Sequence, residues 1–230
     1  ESAAADIERK IMAFSKIGVV GAGTMGNGIA QAFAQAGFEV VMSDVAQAAL
    51  DRAMNTISGS YDRLIKKEKM TAEQKAAALA RIQTATELAA LKDADLVIEA
   101  ATENLELKIR ILHEIESVVG DDTVIACNTS SISITQLAAA LQRPGRCIGM
   151  HFFNPVPVMA LLEVIRGLQT TDATHAVALD FAKAVGKTAI TVRNSPGFVV
   201  NRMLCPMINE AIFVLQEGLA SADEIDAGMK

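Results

Sequence analysis

The chain has 230 residues, of which 51% are hydrophobic and 21% are charged, and its formal net charge is −6 at pH 7. This length suffices for one large α/β domain with a second, smaller element around a sizeable core. The acidic balance without a basic run argues against nucleic-acid binding as a main function, and no stretch of about 18 uninterrupted apolar residues predicts a membrane span.

The N-terminal residues ESAAADIERKI lack the cationic start and the apolar centre of a secretory signal. Met12 resembles a natural start, so we interpret residues 1–11 as a leader or an extension and leave them out of the fold prediction. The cysteines, Cys127, Cys147 and Cys205, form no Cys-x-x-Cys pair, which argues against a metal site or a redox dithiol. Buried, reduced thiols in a cytoplasmic protein are the simpler interpretation.

A Gly-x-Gly-x-x-Gly turn, GAGTMG, lies between the first predicted strand at 17–20 and the first predicted helix. Gly21 permits a tight turn, Gly23 leaves room for a pyrophosphate, and Gly26 lets the helix pack against the strand. A plain strand-to-helix turn could use the same glycines for packing alone. The placement favours a dinucleotide site, and the predicted cofactor contacts of this turn are Gly21, Gly23, Thr24, Met25 and Gly26.

Asp44 ends the second predicted strand, at 38–43, and follows the first glycine at about the 20-residue spacing of dinucleotide-binding folds. Its carboxylate can accept hydrogen bonds from both ribose hydroxyls and would repel a 2′-phosphate. The sequence therefore predicts NAD rather than NADP as the cofactor.

Helical patterns separate most of the later predicted strands, and this alternation predicts a Rossmann-type, doubly wound, mostly parallel sheet covered on both faces. A long helical stretch at 46–81 carries Arg63 and Lys67 one turn apart, where they could bind phosphates or form a solvated charged face. Further strands are predicted at 95–99, 123–127, 147–151, 160–166 and 188–192. Ser and Thr capping boxes predict helix starts at Thr71, Ser133 and Ser221.

Asn194-Ser195-Pro196-Gly197 interrupts this pattern, and we place a domain boundary there. Residues 12–193 are predicted to form the dinucleotide-binding domain, and residues 194–230 the first part of an all-helical domain. Pro196 suits the first turn of a helix, and the helix predicted at 198–215 is apolar almost all round, so it needs partners on several sides. We expect this second domain to be truncated at Lys230.

Four segments stand out, and we expect each to end at or near the carboxyl edge of the sheet, where open α/β folds bind ligands. With GAGTMG and Glu163, they resemble the short-chain L-3-hydroxyacyl-CoA dehydrogenases over residues 12–230, particularly the bacterial 3-hydroxybutyryl-CoA dehydrogenases. The segments are Val97–Asn104 (VIEAATEN), Asn128–Ser131 (NTSS), His151–Pro155 (HFFNP) and Ser195–Arg202 (SPGFVVNR).

The resemblance implies reversible, NAD-dependent oxidation of 3-hydroxybutyryl-CoA to acetoacetyl-CoA. It implies that His151 is the general base, oriented by Glu163, and that Ser130 and Asn201 hold the reacting C3 oxygen. From the residues alone, His151 could be a neutral core histidine, Glu163 a solvated strand-end carboxylate and Ser130 a turn residue. Asn201 is more informative, since an amide on an apolar helix needs a partner.

The resemblance also implies cofactor contacts from Glu103, Lys108 and Asn128, although Glu103 and Lys108 could instead be charges on the exposed face of a helix beginning near Asn104. Arg63 and Lys67 would contact coenzyme A, and the complete family chain would form a homodimer. Two alternatives remain open: a dehydrogenase for a free 3-hydroxy acid, and a non-catalytic protein on the same scaffold.

Overall fold

The computed structural model of the protein describes residues 15–230, and the predicted leader at 1–11 lies outside the described residues. Eight strands form one sheet in the order β3-β2-β1-β4-β5-β6-β7-β8. The strands are β1 Lys16–Val20, β2 Glu39–Ser43, β3 Ile82–Ala85, β4 Leu96–Glu99, β5 Val124–Cys127, β6 Cys147–Phe152, β7 Leu161–Arg166 and β8 Thr188–Arg193.

The first six strands run parallel, whereas β7 pairs with β6 in the antiparallel sense and β8 runs parallel to β7. The segment between β6 and β7 is too short for a parallel crossover, which needs about a dozen residues or more. This reversal sets His151 directly opposite Glu163 in the register of the two strands.

Eight α-helices connect and flank these strands within residues 15–230. Helix α1 ends before Gly37, whose φ of +102° suits the left-handed position that terminates a helix. The helices are α1 Thr24–Gln35, α2 Gln47–Lys66, α3 Ala72–Ala80, α4 Leu105–Val118, α5 Ile134–Ala139, α6 Asp172–Ala184, α7 Val200–Gln216 and α8 Ala222–Gly228. In this range no helix combines the length and the apolar character needed to cross a bilayer.

Both faces of the sheet carry an apolar core, as expected for a doubly wound fold. On the face covered by α1, α2, α3 and α6, the rings of Phe33, Phe38 and Phe181 pack with centroids 5.6 to 6.1 Å apart. The other core lies beneath α4 and α5. Because side chains alternate along a strand, Glu99, His151 and Glu163 all point toward this second face.

The predicted architecture is confirmed, with three differences. Strand β3 was not predicted, because only Ile82 of its four residues is buried. Helix α7 begins at Val200 rather than 198, and Pro196 lies before it, because Gly197 and Phe198 have φ values of +75° and +52° that no α-helix accommodates.

The route of the segment after β8 is the third difference. Strand β8 is antiparallel to β6, so its carboxyl end lies at the opposite edge of the sheet from the end of β6. There the amide of Asn194 donates to the carbonyl of Arg166, 3.0 Å away. The chain then returns, and the amide of Val199 donates to the Glu163 carboxylate. The segment therefore starts away from the edge that carries the other three and reaches that edge at Val199, where it was expected to end.

Candidate active site

The glycine turn packs tightly at two of its three positions. Gly21 has a φ of +99°, and a Cβ there would lie 2.6 Å from the Cα of Ala101, at the end of β4. A Cβ on Gly26 would lie 1.7 Å from the carbonyl oxygen of Gly21. Gly23 differs, because no heavy atom lies within 4 Å of a Cβ built there. The exposed side of the turn is thus at Gly23, where a phosphate can approach the backbone.

Beside this turn lies a cavity of about 810 Å³, whose lining includes Gly21, Asp44, Ala101 and Thr102. The Asp44 carboxylate accepts the amides of Ala22 at 2.8 Å and Ala46 at 3.0 Å, so it holds the glycine turn and retains lone pairs for ribose hydroxyls. Thr24 and Met25 occupy the first turn of α1, whose exposed amides suit a pyrophosphate. These residues fit a dinucleotide.

A buried histidine and carboxylate face each other across β6 and β7. His151 Nδ1 lies 2.7 Å from Glu163 Oε2, and the other carboxylate oxygen, Oε1, accepts the amides of Val199 and Val200 at 2.9 and 3.0 Å. Assigning the imidazole proton to Nδ1 makes His151 a donor to Glu163, as the two backbone amides are. The lone pair of His151 Nε2 therefore points away from Glu163, ready to accept a proton.

Ser130 lies at that free end of the imidazole, with its Oγ 2.9 Å from His151 Nε2. Glu103 holds the turn that carries it: the Glu103 carboxylate accepts the Thr129 hydroxyl at 2.7 Å, the Ser130 amide at 3.2 Å and the Ser131 hydroxyl at 3.3 Å. Glu103 was predicted as a cofactor contact. The structure adds a contact to the serine turn that the sequence analysis missed.

The first turn of α7 also lies beside the imidazole. The Phe198 ring packs on His151 with centroids 5.6 Å apart, and the Phe153 ring packs at 4.6 Å. Asn201 follows Val200, whose backbone amide donates to Glu163. The side chain of Asn201 is half-buried and has no hydrogen-bond partner among residues 15–230. An unpartnered amide on the helical turn that is bonded to Glu163 is available to a substrate oxygen.

Lys108 has a different environment from the one predicted. Its side chain is fully buried, its ammonium pairs with the equally buried Glu99, and it lies 3.4 Å from the carbonyl oxygen of Asn128. The alternative of an exposed helix face is therefore wrong for Lys108. Asn128 is buried too, and its Oδ1 accepts the amide of Phe152 at 3.1 Å.

The structure does not join every predicted residue to this cluster. Arg63 and Lys67 are exposed at the end of α2, and no hydrogen bond or ion pair links either side chain to the rest of residues 15–230. The roles assigned to Arg63, Lys67 and the other site residues stay predictions.

The cysteines divide into two classes. Cys127 and Cys147 are buried, and a hydrogen bond with the Cys147 thiol, together with burial, raises the pKa of Cys127 well above its usual value. Cys205 is exposed, so the expectation that all three are buried was wrong. In the described part of the chain, no cluster of His, Cys, Asp and Glu side chains could hold a metal ion.

Comparison with known proteins adds independent evidence. Residues 16–195 match the family model of the 3-hydroxyacyl-CoA dehydrogenase NAD binding domain, and residues 197–230 match that of the 3-hydroxyacyl-CoA dehydrogenase C-terminal domain. The first match spans well over half of the chain and covers all eight strands.

Relatives and solved structures agree with these matches. A 3-hydroxybutyryl-CoA dehydrogenase of Bradyrhizobium diazoefficiens is 50% identical over 94% of this chain and 73% of its own length. One from Clostridioides difficile is 42% identical over 94% of this chain and 76% of its own length. The crystal structure of (S)-3-hydroxybutyryl-CoA dehydrogenase from Ralstonia eutropha superposes with a TM-score of 0.92 at 62% identity, covering 94% of this chain and 77% of that one.

Proposed function

The chain belongs to the 3-hydroxyacyl-CoA dehydrogenase family, an NAD-binding family of oxidoreductases, and from this premise we propose that it interconverts L-3-hydroxybutyryl-CoA and acetoacetyl-CoA. The observation that carries the proposal is the His151 imidazole, which Glu163 orients through Nδ1 and which presents Nε2 to Ser130. A secondary alcohol bound at Ser130 has its hydroxyl within reach of that nitrogen.

In the oxidation, His151 Nε2 takes the hydroxyl proton of C3 while the C3–H bond breaks. Bound NAD supplies the hydride acceptor. Glu163 stabilises the imidazolium that forms, because its carboxylate already accepts the Nδ1 proton. In the reverse direction the imidazolium returns the proton to the oxygen, so the same residues serve both directions.

Ser130 and Asn201 hold the C3 oxygen. The Glu103 carboxylate fixes the backbone of Ser130. The Ser130 hydroxyl donates to His151 Nε2 in the substrate-free protein, and it turns to the C3 oxygen when the substrate hydroxyl takes its place on Nε2. The free amide of Asn201 supplies a second donor. Two donors aimed at one oxygen stabilise the negative charge that develops on it during hydride transfer.

The coenzyme A part of the substrate would be bound through its negatively charged phosphates. Arg63 and Lys67 are exposed cations with no ionic partner in the described chain, and they suit the phosphates of coenzyme A. Homodimer formation, which the resemblance implies, and a cytoplasmic location, which the unpaired cysteines favour, remain predictions.

The test is consumption of NADH with acetoacetyl-CoA, run beside NADPH and free acetoacetate. We expect turnover with NADH and the thioester, inhibition by free coenzyme A, and a fall in kcat of about 10²- to 10⁴-fold in His151→Gln with NADH still bound.

Arg63→Ala with Lys67→Ala should raise KM for acetoacetyl-CoA and leave kcat unchanged, whereas Arg52→Ala, on the same helix, serves as the control. Equal turnover of free acetoacetate would favour the free-acid alternative, and a folded chain that binds no NADH would overturn the proposal.

A further inference from the structure

The Glu99–Lys108 ion pair is the one fully buried pair of opposite charges in the described chain that takes no part in the proposed proton and hydride transfer. Both side chains have no exposed surface. Glu99 ends β4, next to β1 and its glycine turn, and Lys108 reaches it from the buried side of α4. The pair therefore lies beneath the edge of the sheet where the cofactor is proposed to bind.

Glu99 holds the turn against which the glycine turn rests. Its Oε1 accepts the amide of Ala101 at 2.9 Å, and the amide of Ala100 donates to the carbonyl of Val20 at 2.8 Å. Gly21 lies so close to Ala101 that a Cβ would overlap its backbone. The position of the Ala100–Ala101 turn thus sets the position of Gly21.

Lys108 holds the next turn along the same edge. Its ammonium lies 3.4 Å from the carbonyl oxygen of Asn128, whose own amide donates to the Glu99 carbonyl at 2.9 Å. The Asn128 side chain in turn accepts the amide of Phe152, the residue after His151. One buried pair is therefore connected to the glycine turn, to the turn that leads to Ser130, and to the end of β6.

An apolar pair would fill the same space without the free-energy cost of removing two charges from water. Burial raises the pKa of Glu99, and the Lys108 ammonium with the amides of Ala101 and Thr102 opposes that rise. Replacing a buried ion pair by well-packed apolar residues is often neutral or stabilising, so the pair is weak evidence for a contribution to stability. Apolar residues cannot supply the hydrogen bonds to Ala101 and Asn128.

We propose that Glu99 and Lys108 are a positioning pair that fixes the spacing between the glycine turn and the Asn128–Ser130 turn. They would thereby align the nicotinamide with the C3 carbon held at Ser130 and His151. The consequence for catalysis rests on the proposed function, whereas the effect on the two turns exists without cofactor or substrate. Neither side chain touches the reacting atoms in this proposal.

The test compares Glu99→Leu with Lys108→Met, made together, with the parent chain. Without cofactor, amide hydrogen exchange should accelerate at Ala101 and Phe152 and stay unchanged in β2, while the melting temperature stays at or above that of either single variant. NADH should then bind about 10-fold more weakly and kcat should fall about 10- to 100-fold, since small misplacements at a reacting centre have effects of this size. The control is Glu116→Leu with Arg146→Met, which removes a nearly buried pair between the last turn of α4 and the residue before β6.

A second variant separates the two halves of the pair. Glu99→Gln with Lys108→Met keeps a neutral acceptor for the Ala101 amide, so protection should recover at Ala101 and not at Phe152. This variant also carries the test if the apolar pair prevents folding. Parent-like exchange at both amides in a folded variant would overturn the positioning role. Accelerated exchange in a chain that never binds NADH would overturn the proposed function instead and leave the positioning of the turns standing.

Discussion

Glu99 and Glu163 lie on the same face of the sheet, and both are fully buried. Each uses Oε1 to accept backbone amides and Oε2 to hold a basic side chain. The partner of Glu163 is an imidazole whose second nitrogen contacts Ser130, an exposed residue, whereas the partner of Glu99 is an ammonium enclosed by protein. The same local arrangement therefore leaves one basic partner in contact with an exposed serine, as the proposed proton transfer requires, and encloses the other in protein.

The largest expected effects come from the substitution Glu→Gln, made separately at each of the two carboxylates. Glu163→Gln places an amide beside His151 Nδ1 and disturbs the orientation of the imidazole, so kcat should fall about 10²- to 10⁴-fold with little change in NADH affinity. Glu99→Gln leaves the Lys108 charge without a counter-ion, so the free energy of unfolding should fall by about 3–5 kcal/mol. Steady-state kinetics and urea denaturation measure the two profiles. The comparison breaks if Glu99→Gln reduces kcat as strongly as Glu163→Gln does in a chain that remains folded.

A smaller effect distinguishes the first two glycines of the turn that Glu99 supports. Gly21→Ala meets the Ala101 backbone and requires a disfavoured φ, so it should lower the free energy of unfolding by about 1–3 kcal/mol. Gly23→Ala meets nothing in the cofactor-free protein, so it should alter stability by less than about 0.5 kcal/mol. NADH titration should nevertheless show weaker binding for Gly23→Ala, because the added methyl occupies the approach to the backbone. Normal NADH affinity in Gly23→Ala would contradict the proposed pyrophosphate position.

Tyr61 shows how a buried titratable group that lacks an ion-pair partner should change the stability of the fold with pH. Burial raises its pKa to about 12, and its hydroxyl donates to the carbonyl of Gln31 at 3.1 Å. The unfolded tyrosine ionises first, near pH 10, so the folded state should lose on the order of 2 kcal/mol as the pH rises from about 10 to 12. Tyr61→Phe should remove this slope and reduce stability at pH 7 by about 1 kcal/mol. A slope that persists in Tyr61→Phe would assign the alkaline loss to other groups.

The parts of the fold that depend on local sequence were predictable. The glycine turn, Asp44, the capping residues and seven of the eight strands follow from spacing and residue type within short windows. Strand β3 escaped prediction because it lies at the edge of the sheet and buries a single side chain. The reversal at β7 had a usable signal, because the short connection after His151 leaves no room for a crossover helix.

The polar networks were less accessible to sequence reasoning. Lys108 shares the buried stripe of α4 with Leu112 and Ile115, a helical spacing that could have revealed a buried lysine. Its partner Glu99 lies on a strand, and nothing in the chain between them specifies the pairing. The link from Glu163 to Val199 and Val200 joins residues about 36 positions apart and needs the return of the chain after β8. Contacts of this kind are fixed by the three-dimensional path alone.

That link also has a consequence for how the protein would fail. The imidazole is oriented through a carboxylate that is itself fastened by the first amides of α7, beyond Gly197 and Phe198 with their left-handed backbone. Undocking of α7 would release Glu163 while leaving the glycine turn and Asp44 intact. Loss of this contact would therefore yield a protein that still binds NAD and does not catalyse the reaction. Such a protein would sequester NAD rather than produce NADH.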